Sequence, residues 1–390
     1  MSVVSSGMRL LLVSVGVALA ASSCRPAPGD GASEAGSRPS TRPAGSPIDG
    51  PLVDPAEIIS GGVSPDGIPP IDDPRFLRPE EVRFLAAREP VVAVEVNRVA
   101  KAYPIRILMW HEIVNDVFDG VAIVVTYCPL CNTGISFRRP TVDGEILDFG
   151  TSGKLYRSNL VMYDRQTGSY WPQALGQAVV GPLLGMELEP VATRLLSWAD
   201  WRSAHPDGLV LSPRTGHVRR YGSNPYVGYE DEERPPLFTG EPDPRLRPTE
   251  HVLGIAGADT IAFPYSELER LSEDGVAAVN RIVGAEPIAV FWKVGTVSAL
   301  DAARIPMSAD VGAAAAYEPR IGLRRLTFVV RNGAFIDEET ASTWTIAGEA
   351  IAGPLAGRRL RVALALDSFW FTWAAFHPET EIFRVSGSGT

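Results

Sequence analysis

Cys128 and Cys131 stand two residues apart in Tyr127-Cys128-Pro129-Leu130-Cys131. That spacing permits three chemistries. As a dithiol, one thiolate attacks a disulfide and the second sulfur resolves the mixed intermediate. As a clip, both thiolates bind one soft metal ion. As a structural disulfide, the pair closes a loop so small that chain entropy assigns it roughly 2 kcal/mol. Cys-Pro-x-Cys suggests a thioredoxin-like site, where a helix N-terminus lowers the thiol pKa. Here Asn132-Thr133-Gly134 and then an apparent strand follow, so the chemistry is expected without that fold. The thiol before the proline is the usual attacker, which makes Cys128 the expected nucleophile and Cys131 the resolving residue.

Trp110-His111-Glu112-Ile113-Val114-Asn115-Asp116 could supply a base to the thiols from His111 or Glu112. The stretch around 107–117 reads as a helix. His111 and Asn115 would share one face of it, and Glu112 would pair with Asn115 or Asp116. The alternative is a solvated helix. Arg165 could stabilise a thiolate or bind an anion, or form a plain surface ion pair. The candidate site is therefore Cys128, Cys131, His111 and Glu112, supported by Asn115, Asp116 and Arg165. No cofactor is expected. In the metal alternative Cys128, Cys131 and His111 would hold copper or zinc, although structural zinc usually takes four ligands.

The elements that must position these residues occur twice. Asp164-Arg165-Gln166-Thr167-Gly168-Ser169-Tyr170-Trp171 returns as Asp337-Glu338-Glu339-Thr340-Ala341-Ser342-Thr343-Trp344. Ala102-Tyr103-Pro104 returns as Ala262-Phe263-Pro264, and Gly181-Pro182-Leu183 as Gly353-Pro354-Leu355. Trp198, Trp201, His205 and Pro206 return as Trp370, Trp373, His377 and Pro378. Matches in constant order at so long a period indicate a duplicated domain. Runs rich in Val, Ile, Tyr and Phe read as strands at 91–96, 121–127, 134–138, 146–149, 160–163 and 178–180. A helix starts at Ser197, whose hydroxyl can cap it, and stops before Pro206. The expected fold is α+β and β-rich: two mostly antiparallel copies, each with a Trp-bearing helix.

Duplication acts as an internal control. Residues in both copies serve the fold, and residues in one copy are candidates for chemistry. Trp171 and Trp344 read as core. His205 and His377 read as helix-end residues complementing the dipole, and Asn159 matches Asn332. The cysteine motif and its His-Glu partner belong to the first copy alone, with 291–295 at the equivalent place in the second. The second copy is thus expected to be a degenerate structural partner.

Arg9, an apolar run from Leu10 to Ala21, and Ala21-Ser22-Ser23-Cys24 read as a cleaved signal (1–23). The run is shorter than the ~20 residues that spanning needs. Cys24 resembles the lipid-modified cysteine of bacterial lipoproteins. Residues 24–54, rich in Pro, Gly and Ser, make a flexible tether. The copies are then 71–222 and 241–386, joined by a linker at 223–240. A net charge of −10 argues against nucleic acid as a partner. The expected location is the periplasmic or cell-surface face of a membrane, held by the lipid alone, with an unknown thiol, disulfide or small molecule as partner.

Trp110-His111-Glu112-Ile113-Val114-Asn115-Asp116, Tyr127-Cys128-Pro129-Leu130-Cys131, Ser158-Asn159-Leu160-Val161-Met162-Tyr163-Asp164-Arg165 and Gly168-Ser169-Tyr170-Trp171 together resemble the DUF3179 family of uncharacterised proteins. The resemblance runs from about Ile71 onward. Some members are similar enough to be called selenoproteins, with selenocysteine in the cysteine motif. The resemblance thus implies a redox-reactive site. A non-enzymatic metal-binding or sensor lipoprotein, and a binding scaffold with an inert disulfide, are the rival readings. The anchor reading predicts that Cys24→Ser releases the protein from membranes or leaves its leader uncleaved. Unchanged processing and unchanged partition into detergent would contradict it.

Overall fold

The computed structural model describes residues 50–385. The expected leader, Cys24 and the expected tether up to residue 49 lie outside the described residues, as does residue 386, the expected end of the second copy. The fold is β-rich and mostly antiparallel, built from several small sheets. No described helix is long and apolar enough to cross a membrane.

Three sheets of the N-terminal half have counterparts of similar strand order in the C-terminal half. In the first, Thr193–Ser197, Pro90–Val96 and Val99–Pro104 lie side by side, and Leu209–Leu211 adds in parallel. Its counterpart runs Leu366–Phe369, His251–Ala256, Thr260–Pro264, and again a parallel addition, Glu381–Ile382. The second sheet is Ile113–Phe118, Val121–Cys128, Thr133–Arg138 and Pro190–Val191, against Val276–Val283, Glu286–Lys293, Ala313–Glu318 and Arg361–Val362. The third contains Phe149–Tyr156, Asn159–Asp164 and Tyr170–Pro172, against Phe328–Arg331, Ala334–Asp337 and Thr343–Trp344. Ile58–Ser60 joins this sheet beside Phe149–Tyr156, so ordered structure begins well before residue 71. The expected strand at 146–149 divides between a small hairpin arm, Glu145–Ile146, and the start of Phe149–Tyr156. That at 178–180 is reduced to one bridge, Tyr170 to Val180.

The helix expected around 107–117 is a correction. Only one turn forms, α1 (Ile105–Leu108). Glu112 takes a positive φ of 60°, which breaks the helical path. Ile113, Val114 and Val117 then favour a strand, since β-branched side chains suit a pleated surface, and Ile113–Phe118 pairs with Val121–Cys128. His111 and Asn115 therefore share no helical face. The Trp-bearing helix forms as expected: α2 (Trp198–Ala204) is capped by Ser197, whose Oγ accepts from the Asp200 amide. The second half carries α3 (Tyr265–Leu271) and α4 (Trp370–Phe376).

Strand register corrects two further expectations. Asn115 faces Val124 and Asn280 faces Ala289 at equivalent points of their hairpins. Each amide exchanges hydrogen bonds with the backbone of the third sheet, Asn115 with Phe149 and Asn280 with Phe328. Asn115 is thus a stitch present in both halves. Asn159, in contrast, pairs with Tyr156 across its turn, while Arg331 pairs with Ala334. Counted from the matching pairs Phe149–Asp164 and Phe328–Asp337, Val161 matches Ala334, and the first hairpin runs on through Leu160 and Asn159 where the second already turns at Asn332. Asn332 is thus a turn residue, and Asn159 has no strand counterpart in the second half. His205 and His377 do end α2 and α4. Burial lowers both pKa values, that of His205 to about 3 with help from Arg194 and Arg359. At neutral pH they are uncharged and do not supply a cation to the helix dipole.

The core crosses between the halves. Trp198 and Trp201 of α2 share a cluster with Phe291, Phe335 and Trp344. Phe369 and Phe371 join Val125 and Tyr127. The 223–240 connection is not a free spacer, because Tyr229 is buried in the same core and Phe238 packs edge-on against Phe371. Trp201 is fully buried and stacks on Trp198 with ring centroids 5.7 Å apart. Trp201→Ala should cost about 3–5 kcal/mol in denaturant unfolding. A loss under about 1 kcal/mol would show that the seam does not depend on this ring.

Candidate active site

The cysteine motif is the bend of a β-hairpin. Cys128 closes one strand, Pro129–Cys131 form a single 3-10 turn, and Thr133 opens the next strand opposite Cys128. Pro129 fits the first position of such a turn because its φ is already set. Asn132 takes the left-handed conformation that lets the chain reverse, a conformation Asn tolerates better than most residues. The bend brings the two sulfurs to 3.1 Å as free thiols. Both are buried, Cys131 completely.

The surroundings treat the two sulfurs unequally. Cys128 donates to Cys131 Sγ. Asn159 Nδ2 points at Cys131 Sγ from 3.5 Å, the Ser158 carbonyl lies 3.3 Å from the same sulfur, and Thr372 on α4 lies nearby with a hydroxyl that makes no hydrogen bond among the described residues. Asn159 is itself fixed. It gives Nδ2 to Gln173 at 3.0 Å and accepts from the Ala174 amide at 2.8 Å, while Gln173 donates to Thr126. Burial, the bond given to Cys131 and the nearby acids Cys131 and Glu112 push the Cys128 thiol well above its ordinary range. Burial opposes ionisation of Cys131 too, but the bonds from Cys128 and Asn159 and the nearness of the Thr372 hydroxyl outweigh it and bring that thiol below its ordinary value. Donors aimed at a sulfur favour its thiolate, which is the third of the three routes by which a protein moves a pKa.

Glu112 is the other chemically competent group. Its backbone carbonyl accepts from the Tyr127 amide, which holds it beside the motif. Burial raises its carboxyl to about 8, so it is a neutral acid at pH 7. It lines a pocket of about 190 Å³ with Leu130, Leu160, Tyr226 and Leu237. Burial pushes the Tyr226 and Tyr229 hydroxyls, which lie near the thiols, above their ordinary range, so both stay protonated. On the opposite flank, Asn132 accepts from Tyr127 Oη at 2.9 Å and bonds His251 Nδ1 at 3.1 Å. His251 continues to Glu230, and Ser298 caps that carboxylate.

The structure thus unites Cys128, Cys131 and Glu112 from the expected set. His111 adjoins Glu112 in sequence, but its ring spends Nδ1 on the Pro69 carbonyl and Nε2 on Tyr221 Oη. Burial drops it to about 4. The trio Cys128, Cys131 and His111 is therefore not assembled as a ligand set, and the described residues hold no cluster of three or more His, Cys, Asp or Glu suited to a metal. Asp116 is bound to Lys101 and Tyr103 in a buried ion pair. Arg165 bridges Asp66 and Asp72 at the surface.

Sequence reasoning missed Thr372, Gln173, Tyr226, Tyr229 and His251. Thr372 carried a signal: it occupies the place of Asp200 inside the repeated Trp-x-x-Trp helix. In the second half, Lys293 sits opposite Ala313 where Cys128 sits opposite Thr133. Lys293 pairs with Asp200 at 2.6 Å, so each hairpin bend meets the helix of the other half.

A family model described as a protein of unknown function (DUF3179) matches residues 65–380. No curated protein and no solved structure matches the chain.

The raised Glu112 pKa makes a prediction with a definite sign. The unfolded carboxyl titrates near 4.5 and the folded one near 8. The stability it contributes is fully present below the lower value and is lost as pH rises through the upper one. Glu112→Gln should therefore gain on the wild type between about pH 5 and pH 8. Asp367, raised to about 7 by burial, titrates in both proteins and cancels. Parallel stability–pH curves would contradict an acid buried neutral at Glu112.

Proposed function

The chain belongs to the DUF3179 family, and on that footing we propose that it is an exported lipoprotein whose Cys128–Cys131 pair cycles between dithiol and disulfide. The observation that carries this reading is the asymmetry at the two sulfurs: Cys128 and Asn159 both direct donors at Cys131 Sγ, against the single Ser158 carbonyl as acceptor there, while no side-chain donor is directed at Cys128 Sγ among the described residues. Such an arrangement prepares one thiolate and keeps its partner protonated. An inert structural pair needs no such asymmetry. We read the two halves as copies of one ancestral domain, the first carrying the thiols and the second closing over them with α4.

In this reading Cys131, rather than Cys128, attacks first. Its thiolate displaces one sulfur of a substrate disulfide and forms a mixed disulfide, and the departing thiolate takes a proton. Glu112, neutral at pH 7 and beside the thiols, is suited to give that proton and to regain the one Cys128 sheds. The Cys128 thiolate then attacks Cys131 Sγ, forms the intramolecular disulfide and expels the second substrate sulfur as a thiolate, which takes from solvent the proton that Cys131 had released on ionising. One substrate disulfide becomes two thiols; the pair supplies both electrons, and the two protons come from Cys128, by way of Glu112, and from solvent. The sulfurs are buried and the adjacent pocket is small, so the partner is a small molecule rather than a folded protein.

Alkylation of the reduced protein with iodoacetamide distinguishes the roles. Cys128→Ser should retain a thiol that reacts near neutral pH, and Cys131→Ser should leave only a slow one. The reverse order would reject Cys131 as the attacking sulfur. Tight stoichiometric copper or zinc in protein purified without chelator, with both thiols protected, would establish the metal-binding alternative instead.

A further inference from the structure

Two clefts lie along the seam between the halves at equivalent places. One, of about 380 Å³, is lined by Glu187, Ala256, Leu366, Trp373 and His377 among others. The second, of about 410 Å³, is lined by Glu95, Arg98, Arg194, Arg359 and Arg361. Past Arg98 and Arg359 it continues into a hollow of about 620 Å³ against His205. Register fixes the correspondence. Arg194 faces Ala93 where Leu366 faces Gly254, and Arg359 bridges Glu349 where Glu187 bridges Gln177. The same backbone therefore closes with Leu and Glu on one side of the molecule and with two arginines on the other. Folding does not demand the arginines.

Arg194 is 5 % exposed. Its Nη1 donates to the Ala347 carbonyl at 2.8 Å and to Tyr317 Oη at 3.3 Å, and among the described residues no carboxylate pairs with it. A buried cation without a counter-ion is costly and uncommon. Arg98 is exposed and has no ion-pair partner among the described residues, while Arg359 is held by Glu349, the Ala204 carbonyl and His205. Glu95 is the one carboxylate lining the cleft of about 410 Å³. We propose that this cleft binds a small ligand bearing an oxyanion, a phosphoryl or carboxylate group, with Arg194 at its floor and Arg98 and Arg359 on its walls. Planar guanidinium donors suit such a group. The arginine-rich field is also felt by His205, which burial and then Arg194 and Arg359 hold neutral. The cleft shares no lining residue with the pocket at Glu112, so this site stands apart from the dithiol reading.

The test is thermal unfolding and calorimetry of the full chain with inorganic phosphate or succinate, against chloride at equal ionic strength. A saturable rise in melting temperature with one of the oxyanions, absent in chloride, is expected. Phosphate against succinate tells which group the site takes. Arg194→Leu, the residue present at the equivalent position, should weaken binding about tenfold or more in a protein that still folds. Arg98→Gln, at an exposed position, should weaken it by a smaller factor. The proposal is overturned by a wild type that shows no saturable shift with either oxyanion, or by an Arg194→Leu protein that binds as well as wild type. If Arg194→Leu does not fold, unchanged binding in Arg98→Gln overturns it.

Discussion

Each half of this chain leaves an apolar surface that only the other half covers. Trp198 and Trp201 of the first half lie among Phe291, Phe335 and Trp344 of the second, and Phe369 and Phe371 pack with Val125 and Tyr127 of the first. Burial of aromatic side chains of this size is worth several kcal/mol in total at about 25 cal/mol per Å². Neither surface could be left in water without losing it. The exchange places α4 of one half over the hairpin bend of the other. That contact brings Thr372 to Cys131 and His251 to Asn132. The thiols are dry, and their ionisation is uneven, because the seam closes over them.

Much of this could be read from the sequence, for reasons that differ by element. The Trp-bearing helix was legible because its cap, its aromatic spacing and its stop at proline are local signals. The strands flanking the cysteines were legible from their β-branched runs. The segment 107–117 misled because its apolar residues also suit a helical period, and the positive φ at Glu112 that breaks the helix has no glycine to announce it. Asn159 was mispaired because its hairpin is two residue pairs longer than the equivalent one, so an equal offset from the shared aspartate lands on Asn332 in the turn, a difference invisible without register. Glu112 was found as a residue near the thiols but expected as a base. Only its burial reveals a neutral acid. Thr372 and His251 could not be placed at the thiols by any local rule, because the contact is between halves.

Where both halves carry the same residue in the same role, as with Asn115 and Asn280 or Trp171 and Trp344, the residue serves the fold. Trp171 and Trp344 each donate to an aspartate, Asp164 and Asp337, at matching distances of 3.0 and 2.9 Å. Where the halves differ at equivalent points, the differences fall into pairs: Cys128 with Thr372 against Lys293 with Asp200, and Arg194 with Arg359 against Leu366 with Glu187. The ion pair of Lys293 and Asp200 fills its bend with mutually compensating charges. The thiol bend holds two buried thiols instead, and the arginine cleft holds Arg194, a buried cation with no carboxylate partner among the described residues, which is costly to bury.

The equilibrium potential of the cysteine pair is the most direct test of the central claim. Wild-type protein would be equilibrated in graded thiol–disulfide buffers, quenched with acid, and its dithiol and disulfide forms counted by mass. A pair whose sulfurs sit in hydrogen-bond contact while reduced, with one held toward its thiolate, should titrate as a two-electron couple. Its midpoint should lie among the catalytic couples, at about −120 to −270 mV. A midpoint below about −300 mV, with a melting temperature that collapses on reduction, would make the bond structural and contradict the account.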